Sequence, residues 1–182
     1  MKRIVFNRHD GGVSICAPTD WAISMMGCGG LWDEFPRGYM EVQIERQIAR
    51  GVPKDVARRY ALAMQFGGCT TAESLEIIRD RDCAPHGTAM ELWDYDDVPT
   101  DRWFRDAWCR SHNGGPISIS MKLARPIQLK HIGNALKLKN DKRQSELLAP
   151  IECDIETIRQ NVLMARDEVE LRLIWPRELI SE

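Results

Sequence analysis

Two Cys-x2-His pairs are the residues whose types and spacing are best suited to chemistry. Cys83 is followed by His86 and Cys109 by His112, and 22 residues, 87–108, lie between the pairs. Zinc accepts two thiolates and two imidazoles in a tetrahedron, so this spacing admits a metal site. Each cysteine, however, ends a segment that we predict to be a helix, whereas zinc knuckles place their ligands in tight turns. We therefore expect free thiols and turn histidines, with no metal or other cofactor.

Signatures of common enzyme classes are absent from the sequence. It contains no Gly-x-Ser-x-Gly elbow, no Walker loop, no Gly-x-Gly-x-x-Gly after a strand and no His-Glu-x-x-His. Six cysteines and four histidines leave a cysteine–histidine nucleophile pair open, because proximity in space is not visible in a sequence. With so many cysteines and histidines, some pairs are expected to lie close together by chance. We therefore predict that the protein is not an enzyme.

The net charge of −2 hides two segments of opposite sign. Residues 91–101 hold five carboxylates, which could bind a hard cation or mimic phosphates. We favour a solvated loop, with Asp101 near the start of a helix. Residues 122–143 carry seven basic side chains among leucines and isoleucines, which predicts an amphipathic helix with a basic face that is solvated or docks on an acidic partner. The interaction candidates on this helix are Lys130, Lys137 and Lys139, and nucleic acid is a less favoured partner for them than protein.

Six tryptophans are many for 182 residues. Trp103, Trp108 and Trp175 lie in short predicted elements that cannot form a large core alone. They either fill the core of a small domain, which we favour, or anchor a protein interface, where tryptophan is enriched. We therefore keep these three as interaction candidates.

The N-terminal half predicts a β-hairpin followed by helices. Apolar runs at 3–6 and 13–16 flank an Asp-Gly turn, a strong hairpin signal. A short helix is expected from Trp21, before a glycine-rich loop. Two helices are expected over 39–50 and from Pro53 to Gly67, and a third follows a capping box formed by Thr70 and Glu73.

The C-terminal half predicts a strand–helix–strand module and two helices. We expect a strand over 89–94, a short aromatic helix over 99–108, a turn at 113–116 and a strand over 117–121. A long helix follows over 122–143, and Asp154 caps the last one. The fold class is α+β, with an N-terminal hairpin plus helical region over 1–87 and a module with the basic and terminal helices over 88–182. No apolar run approaches the ~18 residues that span a bilayer, so we expect no membrane partner.

Four segments resemble a group of small proteins encoded by bacteriophages and prophages of alphaproteobacteria. These are DRWFRDAW at 101–108, MKLAR at 121–125, IVFNRHDGGVS at 4–14 and LIWPREL at 173–179. A similar Trp-Pro ending occurs in phage tail-fibre assembly proteins. Residues 19–68 look like an insertion, and the chain departs from the group at Leu123, where lysine is usual, and at Pro126.

The resemblance implies a phage protein in the virion or the bacterial host cytoplasm. We expect it to be non-enzymatic and to act by protein–protein contacts, as a tail-associated component or a tail assembly factor, either as a monomer or as an oligomer. Its partners would be other phage structural proteins. The alternative is an inhibitor that binds a host defence complex of the CRISPR type.

Overall fold

The computed structural model describes residues 2–180, which group into two compact units. The N-terminal unit contains the chain up to Thr100 together with Arg110–Pro116, and the C-terminal unit contains Asp101–Cys109 and the chain from Ile117 onward. The boundary predicted between 87 and 88 falls inside the N-terminal unit, because the strand that begins at Gly87 pairs with the first strand of the chain.

A three-stranded antiparallel sheet forms one side of the N-terminal unit. The predicted hairpin is confirmed: β1 (Lys2–Arg8) pairs with β2 (Val13–Cys16), and the carboxylate of Asp10 accepts the Gly12 N–H at 3.0 Å in the turn. The predicted strand at 89–94 is also present, as β3 (Gly87–Asp94), which pairs with the free edge of β1. β1 is therefore the central strand of the sheet.

A β-bulge interrupts the pairing of β1 with β3. Val5 pairs with Glu91 and Asn7 with Thr88, so two residues of β3 stand opposite one residue of β1. One of the two, Ala89, has a φ of +50°, in the left-handed region that favours glycine. The chain thus holds an alanine in a conformation that its Cβ disfavours.

Replacing Ala89 with glycine is expected to stabilise the protein. Removing the Cβ relieves about 1–2 kcal/mol of left-handed strain, and part of that is lost to the greater freedom of glycine in the unfolded chain, leaving a net gain of about 0.5–1 kcal/mol. Urea unfolding followed by circular dichroism measures it. Ala49→Gly, at an exposed helical position, is the control and should instead lose about 0.5–1 kcal/mol. Equal losses in both variants would contradict the strain at Ala89.

Four helices complete the N-terminal unit, as the sequence predicts. The capping box is confirmed: the Thr70 hydroxyl accepts the Glu73 N–H, and the Glu73 carboxylate accepts the Thr70 N–H at 2.8 Å. A π-helical turn, Arg79–Cys83, follows the last helix and was not predicted. The four helices are α1 (Asp20–Cys28), α2 (Tyr39–Ala49), α3 (Lys54–Phe66) and α4 (Thr71–Ile78). The core joins the sheet to α1, α3 and α4, whereas α2 contributes no buried residue. Its buried members include Ile4, Phe6, Met26, Met64, Ile77, Ile78 and Cys83.

The C-terminal ends of α1 and α3 approach each other closely at two glycines. Gly29 has φ +78° and ψ −167°, and Gly67 has φ +69° and ψ −154°. A Cβ on Gly67 would lie 2.6 Å from the carbonyl carbon of Cys28, and one on Gly29 would lie 2.6 Å from the nitrogen of Gly67. Backbone hydrogen bonds join the two loops, with the Gly68 N–H donating to the Gly27 carbonyl at 2.8 Å. Neither position has space for a side chain.

The prediction of a short helix over 99–108 is wrong. The segment contains only one 3₁₀ turn, Arg105–Ala107, and Trp108 opens a strand, β4 (Trp108–Ser111), which pairs with β5 (Gly114–Ile119). The Asp101 carboxylate accepts the Trp103 N–H at 2.9 Å, a local bond that competes with a helix start. Aromatic residues also favour strands, so their spacing alone did not decide the structure.

Helices form most of the C-terminal unit. The predicted basic helix is present as α5 (Met121–Ser145), which contains Pro126 in its second turn. The predicted Asp154 cap is also present, since its carboxylate accepts the Thr157 N–H at 3.0 Å. After α5 come α6 (Ile155–Met164) and two short helices, α7 (Glu168–Leu173) and α8 (Arg177–Ile180). The buried cluster of this unit consists of Phe104, Ala107, Ala124, Val162, Ala165 and Leu171. Within residues 2–180, no helix combines the length and apolar content that a bilayer span requires.

Candidate functional site

Trp103 is the centre of an aromatic and polar cluster in the C-terminal unit. Its indole N–H donates to the side-chain oxygen of Gln128 at 2.9 Å, and its ring packs 4.5 Å from His131 and 6.0 Å from Trp175, measured between centroids. Gln128 is fully buried and donates in turn to the Ile174 carbonyl at 3.0 Å. The cluster therefore ties α5 to the segment after α7.

An ion pair holds the exposed side of this cluster. Arg172 contacts both carboxylate oxygens of Asp101, and its guanidinium lies 5.1 Å from the centre of the Trp103 ring. The Trp103 N–H and then Arg172 lower the pKa of Asp101. Asp101 thus binds Arg172 and the Trp103 N–H of this cluster, and it does not lie at the start of a helix as the sequence predicts.

The three candidate tryptophans differ in exposure. Trp108 is 2% exposed, which leaves its ring poorly placed to anchor a protein interface. Trp103 and Trp175 are half-buried and present only part of their surfaces. The favoured interpretation as core residues holds for Trp108, whereas an interaction role for Trp103 and Trp175 stays a prediction.

The candidate lysines lie along α5. Lys130 and Lys137 are exposed, and Lys139 is half-buried, with its ammonium 3.1 Å from the Glu178 carbonyl in α8. Two arginines of the same basic segment are also used within the unit, because Arg125 donates to the Ala165 carbonyl and Arg143 to the Ala149 carbonyl. The basic face is therefore only partly free for a partner.

The acidic stretch is largely solvated, as the sequence predicts, since Asp94, Asp96, Asp97 and Asp101 are exposed, but Glu91 and Asp94 belong to β3 and not to a loop. Asp94 forms an ion pair with Lys2 at 2.8 Å, and the Asp97 carboxylate accepts the Asp94 N–H. Glu91 accepts the Trp93 indole N–H at 2.8 Å and the Gly115 N–H at 2.9 Å. These carboxylates are engaged by the chain itself, which leaves them poorly placed to bind a cation.

Arg110 is the most deeply buried charged side chain of this region, with 0% of its side chain exposed. It donates to the Asn7 side-chain oxygen at 3.0 Å and to the Ala89 carbonyl, and it lies 3.4 Å from the Glu91 carboxylate. Burial lowers the pKa of Arg110, and Glu91 opposes that change. The guanidinium thereby fixes the carbonyl of the strained bulge residue.

The Cys-x2-His pairs do not form a metal cluster in the described residues. No group of three or more His, Cys, Asp or Glu residues is placed to hold a metal ion within 2–180. Cys109 lies in β4, not at a helix end, and its sulfur is 3.3 Å from the Ser118 hydroxyl. Cys83 is buried at the end of the π-helical turn, where a hydrogen bond to Cys16 and then burial raise its pKa.

The C-terminal unit exposes many large apolar side chains. Only Ala124, Gln128 and Ile132 of the 25 residues in α5 are buried. α6 buries two residues and α7 one. The unit thus carries more apolar surface than its own packing covers. The ten exposed residues are Leu123, Leu138, Leu147, Leu148, Ile155, Leu163, Met164, Val169, Leu173 and Ile180.

Sequence reasoning did not identify Gln128, Arg172 or Arg110 as partners. Gln128 had a detectable signal: it lies between Ala124 and Ile132 at four-residue spacing, and a polar residue on an apolar stripe indicates a buried partner. The partner of Arg172 is 71 residues away in sequence, and the partners of Arg110 are 19 to 103 residues away. No local pattern in the sequence shows such distant partners.

Comparison of the chain with protein-family models, with curated proteins and with solved structures finds no match in any of the three.

Proposed function

We propose that the protein is non-enzymatic and acts by binding other proteins, as a tail-associated component of a bacteriophage virion or as a tail assembly factor. The observation that carries this proposal is the exposed apolar surface of the C-terminal unit. Large exposed apolar patches mark interaction sites, and we infer that these side chains contribute to one. Met164 is 78% exposed, Leu173 76% and Leu147 95%.

The partner surface should be apolar with an acidic rim. Leu138 is exposed on α5 beside Lys137, and Lys130 lies two turns earlier on the same helix. Interfaces combine an apolar centre with a polar rim, and rim charges set the encounter rate and the choice of partner. An acidic rim on the partner would therefore match these lysines.

The phage assignment comes from the resemblance of the four sequence segments. The segment 101–108 supplies Trp103 and Phe104 to the internal packing of the C-terminal unit. We therefore assign this motif to the scaffold that presents α5 to α8, and the exposed residues of those helices to the contact itself.

A host defence inhibitor is the second candidate. One version of it uses the acidic stretch as a contact, and the internal bonds of Glu91, Asp94 and Asp101 count against that version. The other version uses the basic helix, where only Lys130 and Lys137 are exposed among the candidate lysines. No feature favours it over contact through the apolar surface.

A double substitution on the apolar surface tests the proposal. In a phage that encodes Met164→Ser/Leu173→Ser, we expect at least about a tenfold loss of tailed particles or of this chain from virions, because the interface loses two apolar anchors worth about 1–2 kcal/mol each. Quantitative mass spectrometry and electron microscopy of purified virions measure both.

The control variant is Val42→Ser/Phe66→Ser, which removes two exposed apolar residues of the N-terminal unit. It should leave particle numbers unchanged. Normal tailed particles with an unchanged amount of the Met164→Ser/Leu173→Ser chain would contradict the proposal, as would recovery of a host nuclease complex as the main partner of the wild-type chain from infected cells.

A further inference from the structure

A pocket of about 500 Å³ lies beside α2 in the N-terminal unit. This volume is within the range of small-molecule sites in proteins. One wall is the polar stripe of α2, and the others come from Trp32, from Tyr60 of α3 and from the π-helical turn that carries Arg81. π-Helical turns are rare and frequently occur at functional sites. Nothing in the proposed contact surface of the C-terminal unit uses this pocket.

The pocket carries an excess of positive charge. Arg46 in α2 and Arg50, the residue that follows its last position, line the pocket one turn apart, and neither has a carboxylate partner within the part of the chain that the structure describes. Like charges at this spacing destabilise a helix. Asp82, the single carboxylate that lines the pocket, is occupied by Arg81 in a two-point contact at 2.6 and 2.7 Å. An anion bound between the two free guanidinium groups would remove the repulsion.

One wall of the pocket has an unsatisfied acceptor. The side-chain oxygen of Gln47 is buried and receives no hydrogen bond. A buried acceptor without a donor costs about 1–3 kcal/mol, so a ligand that supplies an N–H gains that energy once the Gln47 side chain turns its oxygen into the pocket. Arg46, Arg50 and Gln47 share one face of α2, which places the anion contacts and the acceptor together.

Two aromatic side chains limit the pocket on its other sides. The Tyr60 ring is covered on one face by the Arg81 guanidinium, 3.7 Å from the ring centre. Trp32 is fixed through its backbone N–H, which donates to the Gln65 side chain at 3.0 Å, and through an edge contact with Tyr39. Rigid aromatic walls favour a flat ring as ligand.

We propose that this pocket binds a nucleoside di- or triphosphate. The phosphate chain has enough oxygens for both arginine forks, which bind phosphates at two points each. The base lies between the aromatic walls and donates an amino N–H to Gln47. The chain has no glycine-rich phosphate loop, so the site binds the nucleotide through side chains and is not expected to hydrolyse it.

Calorimetric titration of the full chain tests the proposal with ATP, GTP, adenosine and pyrophosphate as probes. One equivalent of ATP or GTP should bind, at least about tenfold more tightly than adenosine or pyrophosphate, because each of these supplies only one of the two contacts. Affinity should fall as salt is raised. No heat and no shift in melting temperature with any probe at about 1 mM would overturn the proposal, and equal affinity for pyrophosphate would overturn the contact with the base.

Paired variants separate binding in the pocket from a general effect of charge. Arg46→Gln/Arg50→Gln should weaken binding of ATP at least about tenfold. Lys54→Gln/Arg58→Gln makes the same change in net charge at exposed positions of α3 outside the pocket and should leave affinity unchanged. Gln47→Leu should also weaken binding while the free protein melts no lower than the wild type. Equal losses in the two double variants would overturn the assignment to this pocket.

Discussion

Replacing Gly67 with alanine is expected to cost about 3–5 kcal/mol of the free energy of unfolding. Two effects add: the backbone has a positive φ with an extended ψ, a region that is essentially restricted to glycine, and the new Cβ would lie 2.6 Å from the backbone of Cys28. Backbone cannot move aside as a flexible side chain can. Gly29 lies on the opposite side of the same close approach and is equally crowded, so its loop cannot shift to make room for the new Cβ.

Urea unfolding followed by circular dichroism measures this loss, and two other glycines separate its causes. Gly68 has φ +84° with open space at its Cβ position, so Gly68→Ala should show only the backbone cost of about 1–2 kcal/mol. Gly133 lies in α5 with open space, so Gly133→Ala should gain up to about 1 kcal/mol. If Gly67→Ala were no less stable than Gly68→Ala, the close approach of the two loops would be wrong. A Gly67→Ala chain without a cooperative transition counts as the expected large loss.

Replacing Glu91 with glutamine is expected to cost about 2–4 kcal/mol. The change removes the charge beside the fully buried Arg110 and weakens the hydrogen bonds from Trp93 and Gly115. A buried guanidinium without its carboxylate is strongly destabilising, and the partial exposure of Glu91 places the expected loss below the upper end for buried pairs. Thermal and urea unfolding at pH 7 measure it.

The pH dependence of stability gives this prediction a second measurement. The Trp93 indole, followed by the Gly115 N–H and Arg110, lowers the pKa of Glu91 despite some desolvation. A carboxyl with a lowered pKa in the folded state adds stability above its unfolded pKa of about 4.3, and that stability is lost as the pH falls through the folded pKa. The difference in stability between wild type and Glu91→Gln should therefore shrink below about pH 4.3. Asp10→Asn, whose side chain is 66% exposed and contacts no buried charge, is the control and should show a far smaller difference at pH 7. A gap that stays constant down to pH 2 would show that the charge of Glu91 is not the cause.

Local signals in the sequence predicted much of the fold. The hairpin depends on an Asp-Gly turn, and the start of α4 depends on a capping box within four residues, so both are determined by neighbours in the chain. The prediction of a helix over 99–108 was wrong because the aromatic residues of this segment suit a helix or a strand equally. The hydrogen bond to Asp101 and the pairing of β4 with β5 decided the structure. Tertiary context decided where local preference was balanced.

The candidate sites were harder to predict because their partners are distant in sequence. Arg110 joins Asn7 and Glu91, and Asp101 joins Arg172. The sequence placed Glu91 and Asp101 in a solvated loop because neither of these arginine partners is a neighbour in the chain. Trp108 was grouped with Trp103 and Trp175 by residue type, although burial separates it from them. Opposite charges in one chain predict internal pairing only when the fold that brings them together is known.

The return of Arg110–Pro116 to the N-terminal unit means that neither unit is one continuous segment of the chain. The chain passes from one unit to the other after Thr100, again after Cys109 and a third time after Pro116. No single cut releases both units whole. A fragment that ends at Thr100 would lack Arg110, and with it the group that holds Ala89 and Glu91 in place. A ribosome that has made only the first hundred residues has therefore not yet supplied all of the N-terminal unit, and that unit can be completed only after part of the other has been synthesised.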